Sequence, residues 1–495
     1  MRRFILWFGP LLFACGFHAA NAAEDRRPNI LFAIGDNWAW PHASILGDPT
    51  VKTPVFDRIA REGVLFENAF CPVPSCSPTR SSLLTGRAAH QLEEAASLWS
   101  VFQRKFQVFT DKLAEAGYEV GFAGKGWSPG KYLEYGWPQN PAGKEFKSFE
   151  EFMEQRDPAK PFFFWHGNTD AALHAWQYGP EGWGGMDPAS VVVPPEMPDT
   201  REVREAILAY YGGVQRQDDQ FGDAVARLEK DGLLDDTLVI YTSDNGWQMP
   251  RGLANCYDTG TRIPFAARWG RHLQAGRKTS DFISLTDLAP TFLEVAGLPI
   301  PETMTGHSFL DVLQGKHSAV SRDHVFIERE RHANVRKGNL SYPIRGIRTK
   351  DFLYLRNLRP DRWPAGDPEA WVAVGDFGDV DGSWAKEFIL ANRTDPKIQP
   401  FYELNFGKRP EEELYDLTAD PHQLKNLAED PAMSARKQAL RARVEQWMRE
   451  TGDPRVDPGY DEWDNYPYFG GNIRDEKGNL KPPRPPKWLN RLEAK

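Results

Sequence analysis

Short apolar runs that each end in a polar loop constrain this chain more than any other feature. Asn29 to Ile34 reads NILFAI and stops at Gly35-Asp36-Asn37; Thr237 to Thr242 reads TLVIYT and runs into Asp244-Asn245-Gly246. Such runs are too short for a typical helix and show no polar face, so they predict strands covered on both sides. Helical spacing fills the intervals, over Pro54 to Arg61, Phe109 to Ala116 and Thr200 to Lys230, while Tyr118 to Ala123 and Pro161 to Trp165 add strands. Strands alternating with helices predict an α/β fold with a large, mainly parallel central sheet flanked by helices. After about residue 320 the pattern changes to short neighbouring strands at Val325 to Ile327, Ile344 to Ile347 and Phe352 to Leu358, with a last helix from Ala432 to Glu450. This predicts a smaller α+β subdomain with an antiparallel sheet. The expected division is 27–320, then 321–460, then an extended proline-rich tail over 461–495 that includes Lys481 to Lys487.

The termini and the composition narrow the class. Arg2 and Arg3 precede an apolar stretch from Phe4 to Phe17, and Ala20-Asn21-Ala22 follows. This reads as a signal peptide over 1–22 and predicts a periplasmic or secreted protein. Leu12-Phe13-Ala14-Cys15 resembles a lipoprotein box, but Phe13 is large for its position, so soluble export is preferred. The stretch is shorter than the roughly 20 residues of a membrane span and no second one follows, so no transmembrane anchor is expected. A formal charge of −9 argues against nucleic acid as a partner. Four cysteines in 495 residues exclude a disulfide scaffold. Whether Cys71 and Cys256 pair is open.

Asp36, Lys125, His166 and Asp244 each fall at or just beyond the carboxyl end of an expected strand, where open α/β sheets bind ligands. The oxygen-only set Asp36, Asn37, Asp244 and Asn245 suits a hard divalent cation, Ca²⁺ first and Mg²⁺ as a further possibility. Read alone, the same residues also serve as turns after strands.

The most specific segment is Cys76-Ser77-Pro78-Thr79-Arg80-Ser81-Ser82-Leu83-Leu84-Thr85-Gly86-Arg87. It resembles the signature of the sulfatase family, Cys-x-Pro-x-Arg with a trailing Thr-Gly-Arg. Phe282 to Leu293 and Thr305 to Leu310 resemble general sulfatase segments. Ser341-Tyr342-Pro343-Ile344-Arg345 and Glu413 to Asp416, with Asp420-Pro421, resemble the heparan N-sulfatase (sulfamidase) branch. The similarity runs from about Arg27 to Pro454, with gaps over 126–200.

The resemblance implies an alkaline-phosphatase-like sandwich. It implies that a formylglycine-generating or sulfatase-maturing enzyme oxidises Cys76 to formylglycine. The hydrated aldehyde is a geminal diol: one hydroxyl attacks sulfur, and the other then expels sulfate, an exit that serine or a thiol lacks. A helix opening at Cys76 offers partial positive charge to the anion, and Arg80, one turn in, offers charge-assisted hydrogen bonds. By the same resemblance Lys125 contacts sulfate; His166 and His174 are the candidates for proton transfer, with His174, two residues late against the family turn, expected as the acid for the leaving group, and His166, Arg251 and Arg345 are expected substrate contacts. Asp36, Asn37, Asp244 and Asn245 become the metal ligands.

Three positions depart from the family pattern. Asn37 stands where the family has Asp but still offers a carbonyl oxygen. Trp127 replaces a histidine that acts as base, and indole has no acceptor nitrogen. Leu253 stands where a cation is common, with Arg251 nearest. The expected function is an exported, metal-dependent sulfatase acting on N-sulfo or O-sulfo groups of a sulfated saccharide. The alternatives are a phosphodiester or phosphonate monoester hydrolase of the same superfamily, or a catalytically impaired protein that binds sulfated glycans.

Overall fold

The computed structural model describes residues 27–172 and 179–471. The expected signal peptide, His174 and the tail beyond 471 lie outside the described residues. Eight strands form the large sheet: β1 (Asn29–Gly35), β2 (Val64–Phe70), β3 (Glu119–Ala123), β4 (Lys144–Phe146), β5 (Phe162–Gly167), β6 (Thr237–Ser243), β7 (Phe265–Arg268) and β8 (Arg277–Ser284). Their order is β8-β2-β7-β6-β1-β5-β3-β4. β7 runs antiparallel to both neighbours, and every other pair is parallel.

The central strands are apolar throughout because both faces are covered. Ile30, Phe32 and Ile34 of β1 point into one core, with Leu83 and Phe292. Leu31 and Ala33 point into the other, with Tyr210, Val214 and Phe221. Helices α1 (Pro54–Glu62), α3 (Phe109–Glu115) and α4 (Arg201–Lys230) follow the expected periodicity, and α2 (Cys76–Thr85) opens at the cysteine motif. The hydroxyl of Thr200 caps α4 by accepting from the Val203 N–H.

A second sheet holds β9 (His324–Arg329), β10 (Ile344–Thr349), β11 (Phe352–Asn357) and β12 (Glu412–Asp416), antiparallel in that order. Helix α5 (Trp384–Ala391) packs on α4, and α6 (Ser434–Glu450) covers the second sheet through Leu440, Val444 and Met448. Phe70, Tyr257 and Phe282 share one core with Val325, Ile327, Ile344 and Leu355, so the two sheets are joined through apolar side chains. Residues 461–471, expected as part of the extended tail, are packed: Trp463 is buried, and Arg331 donates to the Tyr466 and Pro467 carbonyls. Among the described residues, Cys71, Cys76 and Cys256 are all free, so Cys71 and Cys256 do not pair. No described helix is long and apolar enough to cross a membrane.

Candidate active site

Strand register gathers residues that are far apart in sequence. Gly35 pairs with Ser243 and Ile34 with Gly167, so β1, β5 and β6 end level. Asp36-Asn37 and Asp244-Asn245 leave that edge side by side, and the Asn37 N–H donates to Asp244 Oδ1 at 3.1 Å. Asn37 takes a φ of +69°, a left-handed conformation that Asn enters more readily than most residues.

Helix α2 enters from the same edge. Ser75 occupies its N-cap, but its hydroxyl does not cap the helix; it bonds His332 Nδ1 at 2.8 Å. Cys76 Sγ lies 3.3 Å from Asp36 Oδ1 and 4.0 Å from Asn37 Oδ1. One turn further, Arg80 Nε donates to Asp244 Oδ2 at 2.9 Å, and Nη1 donates to the carbonyls of Lys125 and Gly126. Its Nη2 is buried with no partner among the described residues. Lys125 Nζ donates to Asp36 Oδ1 at 2.5 Å and stands 3.9 Å from Asp244 Oδ2. Arg80, Asp244 and Asn245 are fully buried, while Cys76 keeps 8% exposure and the Lys125 side chain 12%. The cluster therefore opens towards Cys76 and Lys125.

Charge in this space is tightly balanced. Burial pushes the Asp36 carboxyl up, but Lys125 and Arg80 outweigh it and hold it at about 2. Asp244 moves the other way: burial and then repulsion from Asp36 lift it to about 6, against Arg80 and Lys125. A divalent cation between the two carboxylates would remove that repulsion. Burial, reinforced by Asp36, drives the Cys76 thiol well above its ordinary value, so as a plain thiol it is a poor nucleophile.

The donor set fits a hard cation. Cys76, Asp36 and Asp244 each bring a ligand atom within 4.8 Å of the others, and Asn37 Oδ1 lies 4.0 Å from Cys76 Sγ. Asn245 Nδ2 donates to Asn37 Oδ1, while Asn245 Oδ1 is buried without a partner among the described residues, an acceptor that a cation would satisfy.

The structure leaves three expected substrate contacts elsewhere. His166 lies on β5 with its ring against Phe221 of α4, on the far face of the sheet, and burial lowers it to about 4. Arg251 is buried; it donates to the Leu404 and Gln423 carbonyls and lies 3.6 Å over the Tyr257 ring. Arg345, on β10, is locked to Asp453 and Glu330. Both arginines look like free cations in sequence because their partners come more than a hundred residues later or from a neighbouring strand. Trp127 is not a vacated site but core: it stacks on Phe102 at 5.3 Å and donates its indole N–H to Ser81 Oγ at 2.8 Å. Leu253 is buried too. Sequence reasoning missed His332, which lies 257 residues from Ser75 and carries no local motif.

Comparison with known proteins bears on this cluster. The profile described as Sulfatase matches residues 28–298, and that described as N-sulphoglucosamine sulphohydrolase, C-terminal, matches residues 251–367. The chain is 30% identical to human N-sulphoglucosamine sulphohydrolase, over 87% of this chain and 92% of that protein. It is 28% identical to an ulvan-active sulfatase of Formosa agariphila, over 88% and 82%. A solved structure of a protein in complex with its substrate, D-glucosamine-2-N,6-O-disulfate, superposes with a TM-score of 0.60 at 19% identity, over 88% of this chain and 99% of that one.

Proposed function

The chain belongs to the sulfatase family, and on that premise we propose that it is an exported, metal-dependent enzyme that removes sulfate from a saccharide, with an N-sulfated glucosamine residue as its first substrate. The observation that carries this reading is the meeting of Cys76, Arg80 and Lys125 with two Asx pairs at one sheet edge. The match to the N-sulphoglucosamine sulphohydrolase C-terminal profile supports the N-sulfo choice.

Formylglycine at position 76 would supply a hydrated aldehyde as the nucleophile, and a divalent cation held by Asp36, Asn37, Asp244 and Asn245 would supply positive charge for the sulfate. The chain's own residues do the rest. Asp36, Asn37, Asp244 and Asn245 would hold the cation. Arg80 and Lys125 already neutralise the two carboxylates, so the added cation makes the pocket positive inside an acidic protein. Arg80 Nη2 remains as a fixed donor for an anion. Lys125, at the open side, places its ammonium where a sulfate oxygen enters. His174 is the proposed proton donor to the leaving group, by its place in sequence.

Protein purified from its export compartment tests all parts. Its mass should show formylglycine at position 76 and a start near residue 23. It should hydrolyse N-sulfated glucosamine faster than O-sulfated glucosamine or an aryl phosphonate. Chelation should remove activity and Ca²⁺ should restore it. Matured protein that turns over no sulfated saccharide would sink the reading.

A further inference from the structure

A loop from the C-terminal half meets the segment that follows Asp244-Asn245, through Asp381 and Gln248, and has no part in the chemistry above. Asp379 is fully buried; it accepts from the Ala333 N–H at 3.0 Å, from Arg336 at 2.6 Å and from Arg329. Lys386, on α5, donates to the carbonyls of Asp376, Phe377 and Val380 at 2.8, 3.1 and 2.7 Å. The Ser383 hydroxyl caps α5 by accepting from the Lys386 N–H. The loop is thus anchored on both sides of Asp381.

Asp381 itself is held differently. Its one hydrogen bond among the described residues comes from Gln248 Nε2 to Oδ2, at 2.6 Å. Among the described residues Oδ1 has no protein partner, and the side chain is only half-buried. Gln248 lies four residues beyond Asp244, on the loop that carries the metal-ligand pair. Burial first, with repulsion from Asp379 and then Asp36 behind it, raises the Asp381 carboxyl to about 6, so it is ionised near neutral pH. The fold therefore fixes, beside the catalytic cluster, an acceptor that it does not use internally. Groups preset in this way are what recognition of a ligand requires.

Resting on the sulfatase reading, we propose that Asp381, oriented by Gln248, reads the saccharide beside the scissile sulfate. It accepts hydrogen bonds from sugar hydroxyl or ammonium groups and disfavours a second sulfate or a carboxylate there. An ionised carboxylate only accepts, which matches the donors of an unsubstituted sugar edge. A like charge at that place is repelled, so the same residue that favours one substrate rejects another. The positive pocket takes the sulfate, and the negative rim sorts what is attached to it.

The test compares full-length, matured wild type with Asp381→Asn and Gln248→Leu on three substrates: N-sulfoglucosamine, its 6-O-sulfated counterpart, and an aryl sulfate with no sugar. For Asp381→Asn, kcat/KM on N-sulfoglucosamine should fall about ten-fold more than on the aryl sulfate, mostly through KM, and the preference for the mono-sulfated sugar should shrink. Gln248→Leu should shift the same ratios less. A separate readout titrates D-glucosamine alone by NMR; wild type should bind it more tightly than Asp381→Asn. Equal losses on all three substrates, or unchanged ratios with unchanged glucosamine binding, would overturn the proposal. Matured wild type that cleaves none of the three, yet binds glucosamine through Asp381, would instead overturn the sulfatase reading and leave the recognition role standing.

Discussion

Arg80 and Asp244 hold each other out of water, and that makes Asp244 structural as well as chemical. Asp244→Ala strands a buried guanidinium, so it should lower unfolding stability by about 3–5 kcal/mol besides removing activity. Asp244→Asn keeps the volume and should fold better while still losing turnover; denaturant melts alongside assays distinguish the two. Trp127→His restores the residue type that the family resemblance calls for, but into a packed site. It should cost up to about 3–5 kcal/mol, as large-to-small core changes do, with no gain in kcat. His332 gives a pH signature. Burial lowers it from 6.5 to about 4, so the folded state keeps it neutral where the unfolded chain takes up a proton. Its contribution is complete above pH 6.5 and is lost as pH falls towards 4. The stability gap between wild type and His332→Gln should therefore narrow from pH 8 to pH 5 in urea titrations. The residues that the structure brings together at the sheet edge, Asp36, Cys76, Arg80, Lys125 and Asp244, were legible in the sequence because each sits beside a strand end or a helix start. Arg251 and Arg345 misled because a positive side chain declares its charge but not its partner, and both are bound to groups that local sequence does not reveal.

The elements that could be read from sequence were those whose pattern is not interrupted. β1 and β6 are buried from end to end, or nearly so, and read as continuous apolar runs. β2 carries Glu67-Asn68 in its middle, β8 opens on the polar Arg277-Lys278 at the sheet edge, and β7 spans only four residues. None of these gives a period long enough to recognise, so the antiparallel insertion in the sheet was invisible. Helix caps offer a test at this scale. Ser383→Ala and Thr200→Ala each remove an N-cap and should each cost about 1 kcal/mol. Only Ser383→Ala should also raise the KM for a saccharide, because that cap anchors the loop bearing Asp381.

Across the whole molecule the site belongs to neither sheet alone. Glu328 at the end of β9 accepts from the Ala89 and His90 N–H groups, its own N–H donates to the Pro72 carbonyl, and the Leu98 N–H reaches the Arg331 carbonyl. A chain ending at residue 320 loses these bonds and exposes Phe70, Tyr257 and Phe282. It should not give a soluble, cooperatively melting protein; one that did would show that the larger part folds independently. The burial of α2 has a consequence in time. Every residue from Cys76 to Thr85 ends up inside, sealed in part by segments some 250 residues later in the chain. These leave the ribosome last. A second protein that needs this segment extended would have to act during synthesis or transit, before the C-terminal half arrives.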